Sequence, residues 1–448
     1  MGEVNLPEVW CLPSFDNVVL NVNGARRPVS LKVREGIKGE YPYYGATGQI
    51  DTLNDFTHEG EHILIGEDGA NLLSKSKDLA FIVDGQFWVN NHAHAVKCIA
   101  EMPAKFVASY INSLDLSPWV SGSAQPKLTK GNLARIPMPL PPLAEQKVIA
   151  DKLDTLLAQV ETTKARLDRI PQILKTFRQS VLAAAVIGKL TEEWRGAKKV
   201  SFNPARLKAI TAISGGKTPS KSNSNYWEGG DIPWVSPKDM KTDLIASSQD
   251  KITKEAIDTG GMKLVPSNSI LVVTRSGILA HSFPVARTLA PVTINQDIKA
   301  LVPNLGFISP EFLFYLLKGL ERRILEECSK AGTTVSSVET SLLMNLEFEL
   351  PSLEEQTEIV RRVEELFAFA DSIEQKANAA LERVSNLTQS ILAKAFRGEL
   401  TADWRAANPD LITGENSAEA LLKKIKAERE ALASKKKPKK KAAVRKKA

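Results

Sequence analysis

The chain contains one long helical sequence pattern twice, at a fixed offset of 210 residues. Of the 55 positions in residues 141–195, 17 are identical in residues 351–405, and the alignment needs no gap. Both copies begin alike, with LAEQ and LEEQ, and end alike, with GKLTEEWR and GELTADWR. Two unrelated helices of one protein do not share this much, so the chain is built on an internal repeat.

Each copy of the repeat carries apolar residues at alternating spacings of four and three. Such a pattern over about five heptads is typical of a coiled coil, and a helix of ~38 residues would be ~57 Å long. The apolar positions form a seam along each predicted helix, and we expect the two seams to pack on each other. The alternative is two unrelated amphipathic helices that pack on separate cores. The first seam and then the second are Ile149, Leu153, Leu156, Val160, Thr163, Leu167, Ile170, Leu174, Phe177, Val181; and Ile359, Val363, Leu366, Ala370, Ile373, Ala377, Ala380, Val384, Leu387, Ile391.

Only the first of the two predicted helices contains a proline, Pro171. Proline lacks the backbone N–H that an interior helical residue donates, so we expect a kink or break near residues 169–171. The second copy has Leu381 at the equivalent position and should continue without interruption.

About 140 residues of a different texture precede each long helix, with frequent Gly, Pro, Asn and Ser and short β-branched runs. This texture predicts two compact α+β domains of short strands separated by turns. The predicted strands are residues 61–66, 80–83 and 87–89 in the first domain and 270–274, 285–286 and 298–302 in the second, which should also have a helix around 310–329.

The expected order along the chain is domain, helix, domain, helix, tail. The first domain should span residues 1–140 and its helix 141–199; the second domain should span 200–350 and its helix 351–412. Residues 413–448 should form a polar helix, at 417–433, and a lysine-rich tail that its composition predicts to be disordered.

The net charge of +7 comes from the tail. The last fifteen residues hold nine Lys or Arg and no acid, so the rest has 50 basic and 52 acidic residues. A freestanding nucleic-acid binder usually has a basic excess, so contact with DNA would need local patches or a basic partner. The tail is either a solubilising segment or a nonspecific phosphate contact. No apolar run approaches the roughly 20 residues that span a bilayer, and we expect a cytoplasmic protein.

No catalytic motif is complete. Ser214–Thr218 resembles a phosphate loop, but the motif requires glycine in place of Thr211, and Pro219 leads into a loop instead of a helix. An adenine methyltransferase would need a cofactor glycine loop and an Asn/Asp-Pro-Pro-aromatic tetrapeptide. The lone Pro-Pro, at residues 141–142, has neither the polar residue nor the aromatic.

Two groups of polar residues could suggest a metal site. The pairs His58/His62 and His92/His94 have no third ligand at a suitable spacing, so surface or core positions are the better interpretation. A nuclease would need clustered acids with a lysine. The pairs at residues 67–68 and 238–239 stand alone and are better interpreted as turn residues.

A repeated unit of domain plus EQ-starting helix that ends in GxLTxxWR resembles the specificity subunit of type I restriction-modification enzymes, of the type IA branch. The similarity covers nearly the whole chain. Its long-helix and C-terminal motifs lie at residues 139–146, 169–182, 350–356, 387–405 and 414–429. Its domain motifs lie at residues 41–51, 66–72, 88–96, 215–220, 231–240, 275–278 and 294–301.

The resemblance implies a non-catalytic chain that reads double-stranded DNA. Each domain would read one half of a bipartite site, and the antiparallel helices would space the domains. Two modification (methyltransferase) subunits would dock on the helices, and two restriction (motor-nuclease) subunits would complete the enzyme. S-adenosylmethionine, ATP and Mg²⁺ would then belong to partner subunits, with no cofactor or metal on this chain and no contact with a membrane.

Side chains that read DNA are expected in loops near turns, with Arg or Lys facing guanine and Asn or Gln facing adenine. In the first domain we predict Tyr43, Thr47, Asn90, His92, Gln125 and Lys127. In the second domain we predict Lys217, Thr218, Trp234, Lys238, Arg275, Ser276 and Thr334. Glycines such as Gly216 should shape the loops.

Two other functions remain open from the sequence. One is a coiled-coil scaffold that organises protein partners without reading DNA, which would explain the neutral body but leaves two similar loop-rich domains without a role. The other is a fused single-chain methyltransferase, which predicts that the isolated chain binds S-adenosylmethionine.

Overall fold

The chain folds into two compact units. A computed structural model describes residues 6–122, 125–196, 202–330 and 336–435. The first unit comprises Met1–Leu167 and Ala380–Ala448, and the second comprises Asp168–Ala379. Each compact unit therefore contains parts of both copies of the sequence repeat.

The first unit contains two four-stranded sheets, of order β1-β8-β5-β6 and β3-β2-β7-β4. Its strands are β1 (Val19–Asn21), β2 (Lys38–Gly45), β3 (Gly48–Leu53), β4 (His58–Glu59), β5 (His62–Gly66), β6 (Ala80–Val83), β7 (Gln86–Val89) and β8 (Ala93–Cys98). Its helices before residue 168 are α1 (Leu31–Gly36), α2 (Asn71–Ser74), α3 (Ala104–Ser113), α4 (Lys130–Arg135) and α5 (Leu143–Leu167).

The second unit has a main sheet of order β10-β17-β14-β15-β12 and a smaller sheet of order β13-β11-β16. Its strands are β9 (Asn203–Arg206), β10 (Thr211–Gly215), β11 (Ile232–Val235), β12 (Leu244–Ile245), β13 (Asp250–Ile252), β14 (Ile270–Val273), β15 (Val285–Thr288), β16 (Thr293–Ile294), β17 (Ile298–Pro303), β18 (Ser329–Lys330), β19 (Ser337–Val338) and β20 (Glu347–Leu350). Its helices are α6 (Ile170–Val186), α7 (Glu192–Arg195), α8 (Leu207–Ile210), α9 (Lys254–Asp258), α10 (Pro310–Gly319), α11 (Glu321–Cys328) and α12 (Thr340–Asn345).

Three helices complete the chain: α13 (Leu353–Phe396), α14 (Ala402–Ala407) and α15 (Ala418–Lys435). Helix α13 is continuous, and its residues up to Ala379 belong to the second unit while the rest belong to the first. Helices α14 and α15 belong to the first unit.

The strands predicted from apolar runs are present. All residues of β5 and of β14 are buried, which is why both runs are apolar apart from His62 at the start of β5. The predicted helix at 310–329 is present as α10 and α11, which are separated at Leu320. Pro310 begins α10, and the Ser309 hydroxyl accepts the N–H of Phe312 at 3.2 Å as its N-terminal cap.

The long helices pack in an antiparallel manner within each unit. In the first unit, Ile149 near the start of α5 shares a core with Leu392 near the end of α13. In the second unit, Val181 near the end of α6 shares a core with Ile359 and Val363 near the start of α13. The predicted fold class, two α+β domains on a repeated antiparallel helix pair, is confirmed, and the seams do not lie on separate cores.

The seam is not equally buried along its length. Thr163 is exposed, and Leu387 is 46% exposed, although both were predicted as seam positions. Toward the end of α13 the buried positions are Leu392, Ala395 and Phe396, because the helix there packs on the core of the first unit.

The predicted break at Pro171 is confirmed. Helix α5 ends at Leu167, α6 begins at Ile170, and Pro171 lies in the first turn of α6. A proline is tolerated there because the first N–H groups of a helix have no intrahelical acceptor. Helix α13, with Leu381 at that position, is uninterrupted.

A buried carboxylate from one repeat is bound by the end of the other repeat. Glu145 of α5 is fully buried and accepts from Thr401 Oγ1 at 2.7 Å and from Arg405 Nη1 at 2.5 Å. The indole N–H of Trp10 donates to its other oxygen at 2.9 Å. The EQ motif and the GxLTxxWR motif are therefore two halves of one contact.

The second unit contains the equivalent contact. Glu355 of α13 is fully buried and accepts from Thr191 Oγ1 at 2.6 Å and from Arg195 Nη1 at 2.5 Å. Two copies of one buried ion pair confirm that the sequence repeat is also a structural repeat.

The polar helix predicted at 417–433 is present as α15, and one of its faces is apolar. Leu421 and Ile425 are buried in the core of the first unit. The Glu428 carboxylate accepts the N–H of Ala100 at 2.9 Å. This helix is therefore docked on the first unit. The lysine-rich tail beyond Lys435 lies outside the described residues.

Candidate nucleic-acid interface

In the first unit, a tight turn after β7 carries two of the predicted residues, Asn90 and His92. The N–H of Asn90 donates to the carbonyl of Tyr44 at 3.1 Å and so extends the parallel pairing of β2 with β7. The side-chain Oδ1 of Asn90 accepts the N–H of His92 at 2.8 Å, an Asx turn. Asn90 is buried and shapes the turn, whereas Asn91 and His92 are exposed.

Glu67, directly after β5, gathers three basic side chains. Its carboxylate lies 2.6 Å from Arg26 Nη1, 3.3 Å from Lys127 Nζ and 3.5 Å from His94 Nδ1. Burial alone would raise the pKa of Glu67, but hydrogen bonds and charge from these partners lower it below its ordinary value. Glu67 therefore stays ionised and holds Arg26 and Lys127 in place.

His92 and Lys127 lie in the same cluster. His92 Nδ1 is 2.9 Å from both oxygens of Asp68, and the backbone of Asp68 is bridged to that of Lys127. Gln125, two residues before Lys127, is exposed. The turn at 90–92, residues 67–68 and residues 125–127 are called the first loop cluster below. It includes four of the six residues predicted for this domain.

The other two predicted residues have different surroundings. Thr47 is exposed in the two-residue turn between β2 and β3. Tyr43 is 2% exposed and packs with Leu53 and Trp88, while its ring forms part of the wall of a cleft of about 390 Å³. Asn91 and His92 also line this cleft. Tyr43 is therefore a core side chain beneath the cluster.

In the second unit, Lys217 and Trp234 are tied together by the main chain. The N–H of Lys217 donates to the carbonyl of Ile294 at 3.0 Å, and the Trp234 indole N–H donates to the carbonyl of Lys217 at 3.0 Å. A Cβ on Gly216 would overlap the carbonyl oxygens of Ile294 and Asn295, so this close approach needs glycine. Trp234 is buried, and Lys217 is exposed.

Next to Lys217, a second Asx turn follows β16. Asn295 is 5% exposed, and its Oδ1 accepts the N–H of Asp297 at 3.1 Å. The hydroxyl of Thr218 donates to Oε1 of the exposed Gln296 at 2.6 Å. The turn at 295–297 with residues 217–218 and 274–276 is called the second loop cluster.

Lys238 borders the second loop cluster. It follows β11 in a short 3-10 helix, Pro237–Asp239, that is capped reciprocally by Ser236 and Asp239. Its ammonium lies 2.7 Å from Asp250, and this hydrogen bond raises the pKa of Lys238. The interpretation of residues 238–239 as turn residues is confirmed.

Arg275 and Ser276 follow β14 and belong to the second loop cluster. Arg275 is exposed, and its backbone is bridged to that of Ser337. The N–H of Ser276 donates to the carbonyl of Ser336 at 3.2 Å, and the Ser276 hydroxyl caps the 3-10 helix Gly277–Ala280. Thr334, the last predicted residue, lies outside the described residues.

The two loop clusters share one main-chain framework. Each contains a parallel strand pair, β2 with β7 and β11 with β16, followed by a buried asparagine whose side chain closes an Asx turn. The N–H of Asn295 donates to the carbonyl of Val235 at 2.9 Å, as that of Asn90 does to Tyr44. Asn91 and Gln296 are therefore equivalent.

Two further sets of hydrogen bonds repeat between the clusters. The carbonyl of His92 accepts the N–H of Glu67, and that of Asp297 accepts the N–H of Thr274, each at 2.8 Å. The N–H of Arg27 donates to the carbonyl of Val89, the residue before Asn90, at 3.0 Å. The N–H of Lys217 donates to the carbonyl of Ile294, the residue before Asn295, at the same distance. Arg27 is therefore the equivalent of Lys217.

Sequence reasoning missed Arg27, Asn91 and Gln296. The repeat offset of 210 residues does not hold here, because Asn90 and Asn295 are 205 apart, and Arg27 and Lys217 are 190 apart. Loops of unequal length hid the equivalence. The signal that was available is an Asn followed by an amide residue between two apolar runs, VNNHA and INQDI.

The remaining chemical motifs have structural explanations. His58, His62 and His94 are buried in the core, as the alternative to a metal site predicted. The part of the chain that the structure describes contains no group of three or more potential metal ligands. Residues 216–223 form no helix after β10, so the glycine-rich segment has no helix N-terminus to bind phosphate. Among the described residues no helix is long and apolar enough to cross a membrane.

The sequence profile of a known family covers most of the chain. The family described as the type I restriction modification DNA specificity domain matches residues 19–172 and 199–383. The chain belongs to this family, and it is a DNA specificity subunit of a type I restriction-modification system. The alternative of a scaffold that does not read DNA is not supported.

Characterised relatives are similar over long stretches. The chain is 37% identical over 431 residues to the specificity subunit of type I restriction enzyme EcoDI of Escherichia coli, which covers 90% of this chain and 92% of that protein. It is 46% identical over 328 residues to the EcoBI specificity subunit of Escherichia coli, covering 68% and 67%.

Solved structures support the fold. The HsdS subunit from Thermoanaerobacter tengcongensis matches with a TM-score of 0.60 at 19% identity, over 89% of this chain and 99% of that chain. At this level of identity the likeness concerns the fold alone.

Proposed function

We propose that the two loop clusters each read one half of a bipartite duplex site, and that the paired long helices set the spacing between the halves. The observation that supports this most directly is the framework of hydrogen bonds that occurs twice in one chain, with exposed polar side chains at equivalent positions. Half-site spacing follows protein geometry in other two-fold readers of DNA.

The proposed reading residues lie in or beside the clusters: the exposed Thr47, His92, Gln125, Lys127, Lys217, Lys238 and Arg275 and the half-buried Thr218 and Ser276, with Thr334 retained from the sequence. Three predicted residues, Tyr43, Asn90 and Trp234, are between 2% and 7% exposed. We assign these three the role of positioning the loops, because a buried side chain cannot reach a base edge without unpacking.

The chain without its last fifteen residues has a net charge of −2, from 50 basic and 52 acidic residues. Phosphate contacts dominate the affinity of proteins for DNA, so this body needs partners that share those contacts. We propose two modification subunits docked on the long helices and two restriction subunits in the complete enzyme. S-adenosylmethionine, ATP and Mg²⁺ would be bound by these subunits, and this chain would be non-catalytic.

Binding to a randomised duplex library tests the reading function. The chain purified with its modification subunits should enrich one bipartite sequence with a constant gap. Equal recovery of all sequences would contradict the proposal. Exchange of residues 1–140 for those of a relative should change the preferred bases in one half-site and leave the other half unchanged, whereas a scaffold would keep both.

Equilibrium dialysis with S-adenosylmethionine tests the assignment of the cofactor. The complex should bind the cofactor, and the isolated chain should not. Binding by the isolated chain would support the fused methyltransferase instead.

A further inference from the structure

The repeated framework places an exposed amide side chain at the same point of both loop clusters. The turns Asn90–His92 and Asn295–Asp297 are closed in the same way, by the side chain of a buried asparagine. In each turn the middle residue, Asn91 or Gln296, is exposed. A residue at the tip of a turn with a fixed main chain has a defined position relative to the rest of its domain.

We infer that Asn91 and Gln296 are equivalent specificity-determining residues, each of which hydrogen-bonds to an adenine edge in its own half of the DNA site. The inference rests on the proposed function. An amide side chain offers one acceptor and one donor side by side, which matches the N6 amino group and N7 of adenine in the major groove.

Gln296 is already oriented for such a contact. Its Oε1 accepts from the hydroxyl of Thr218 at 2.6 Å, and its Nε2 donates to Asp297 at 3.2 Å. A primary amide has two acceptor and two donor positions, so one acceptor and one donor remain. The free acceptor can accept from N6 of adenine, and the free donor can donate to N7. Thr218 and Asp297 are positioning residues for this amide.

Asn91 has a looser environment. Its side chain forms no hydrogen bond to another residue within the described ranges, and it lines the cleft of about 390 Å³. Ordering a free side chain on binding costs entropy that an oriented one has already lost. We therefore expect Gln296 to discriminate among bases more strongly than Asn91.

Arg27, the equivalent of Lys217, serves as an internal contrast because it is not among the proposed reading residues. Arg27 and Lys217 are exposed, and each lies beside the strand that leads into the turn. Their backbone N–H groups donate to the carbonyls of Val89 and Ile294, respectively, at 3.0 Å. A cation that contacts phosphate strengthens binding to all sequences alike, whereas a base contact changes the preference among them. Replacement of Arg27 should therefore weaken binding to every sequence by the same factor.

The test is selection of a duplex library with both half-sites randomised, bound by the full complex of this chain with its modification subunits. Gln296→Ala should reduce the preference for adenine about tenfold or more at one position of one half-site. Asn91→Ala should do so, more weakly, in the other half-site. Gln296→Glu should shift the preference toward cytosine, whose amino group a carboxylate accepts.

Thr218→Val should weaken the adenine preference at the same base as Gln296→Ala. Matched controls are amides at the far ends of the adjoining strands. Gln86 begins β7, which ends beside Asn90, and Asn304 follows the end of β17, which begins beside Asn295. Gln86→Ala and Asn304→Ala should leave every base preference unchanged.

The outcomes separate the inference from the proposed function. If the wild-type complex selects no sequence, the proposed function is wrong. If it selects a bipartite site and Asn91→Ala and Gln296→Ala behave like the controls, or lower binding to all sequences equally, the inference is wrong and the function stands. Thermal unfolding of each variant confirms that a change in preference is not due to loss of the fold.

Discussion

Arg405 Nη1 lies 2.5 Å from Glu145 Oε1, although the two residues are 260 positions apart in the sequence. Glu145 belongs to the start of the first repeat, and Arg405 belongs to the end of the second. The pair Glu355 and Arg195 connects the other two ends at the same distance. Each unit is therefore closed by a contact between the two copies of the repeat.

Glu145→Gln should destabilise the first unit by about 3 kcal/mol, because it leaves the Arg405 guanidinium largely buried without its counter-charge. Arg405 is 16% exposed and Glu145 is fully buried, so water cannot replace the lost partner well. Urea unfolding of the variant and the wild type measures the difference.

Glu399→Gln is the matched control for this pair. Glu399 and Arg397 form an ion pair of 2.6 Å in which both side chains are 50% exposed. Exposed pairs contribute little to stability, because water and salt screen both charges. Equal losses of stability for Glu145→Gln and Glu399→Gln would contradict the structural role of the buried pair.

Insertion of one heptad into residues 377–390 should lengthen α13 by ~10 Å, roughly three base pairs of DNA. If the helices set the spacing of the half-sites, the preferred gap should change or binding should be lost. Selection from a duplex library with gaps of different lengths measures this. The same heptad inserted at the end of α15 is the control. An unchanged gap in the α13 variant would contradict the proposal that the long helices set the spacing of the half-sites.

Burial of His58 should make the first unit less stable in mild acid. Burial, with the charge of His62 nearby, lowers the pKa of His58 to about 4. The unfolded chain, with a pKa near 6.5, therefore takes up a proton first as the pH falls. The stability that neutral His58 contributes is complete above about pH 6.5 and is lost as the pH falls toward about 4.

The variant His58→Phe should remove about 2 kcal/mol from the change in unfolding free energy between about pH 7.5 and about pH 5. His58 stacks on Phe87, with ring centroids 5.6 Å apart, so phenylalanine keeps an aromatic ring in this stack. Urea unfolding at the two pH values measures the effect. The wild type at the same two pH values is the reference, and an unaltered dependence in His58→Phe would contradict the prediction.

Ile425→Ala should destabilise the first unit by about 2–4 kcal/mol, because Ile425 is fully buried where α15 docks on the core. Lys424→Ala, on the exposed face of the same helix, should change stability by about 0.5 kcal/mol or less. Thermal unfolding compares the two. Similar midpoints would mean that α15 does not stabilise the unit.

The elements that depend on nearby residues were predictable. Three features follow from residues close together in the sequence, within a strand or one or two helical turns: the apolar runs of β5 and β14, the heptad seams and the break before Pro171. The burial of Tyr43 and Trp234 was not predictable, because an aromatic residue beside a turn can face either the core or the solvent. Which way it faces depends on the strand pairing.

The loop clusters and the residues beside them depend on contacts between distant segments. Arg27 is placed by its hydrogen bond to Val89, and Thr218 is placed beside Gln296. Loops of unequal length shifted the offset between equivalent residues from 210 to 205 and 190, so alignment of the repeat could not identify them.

The sequence by itself determined that this protein is a repeat of domain and helix, because periodicity and residue identity are properties of neighbouring positions. It also indicated the family through motifs that recur in order. Only the tertiary structure decided that each compact unit is closed by Glu145 with Arg405 or Glu355 with Arg195, and that Asn91 and Gln296 are equivalent. The physical reason is that hydrogen bonds and ion pairs between segments tens to hundreds of residues apart arise from chain pairing, which no local pattern encodes.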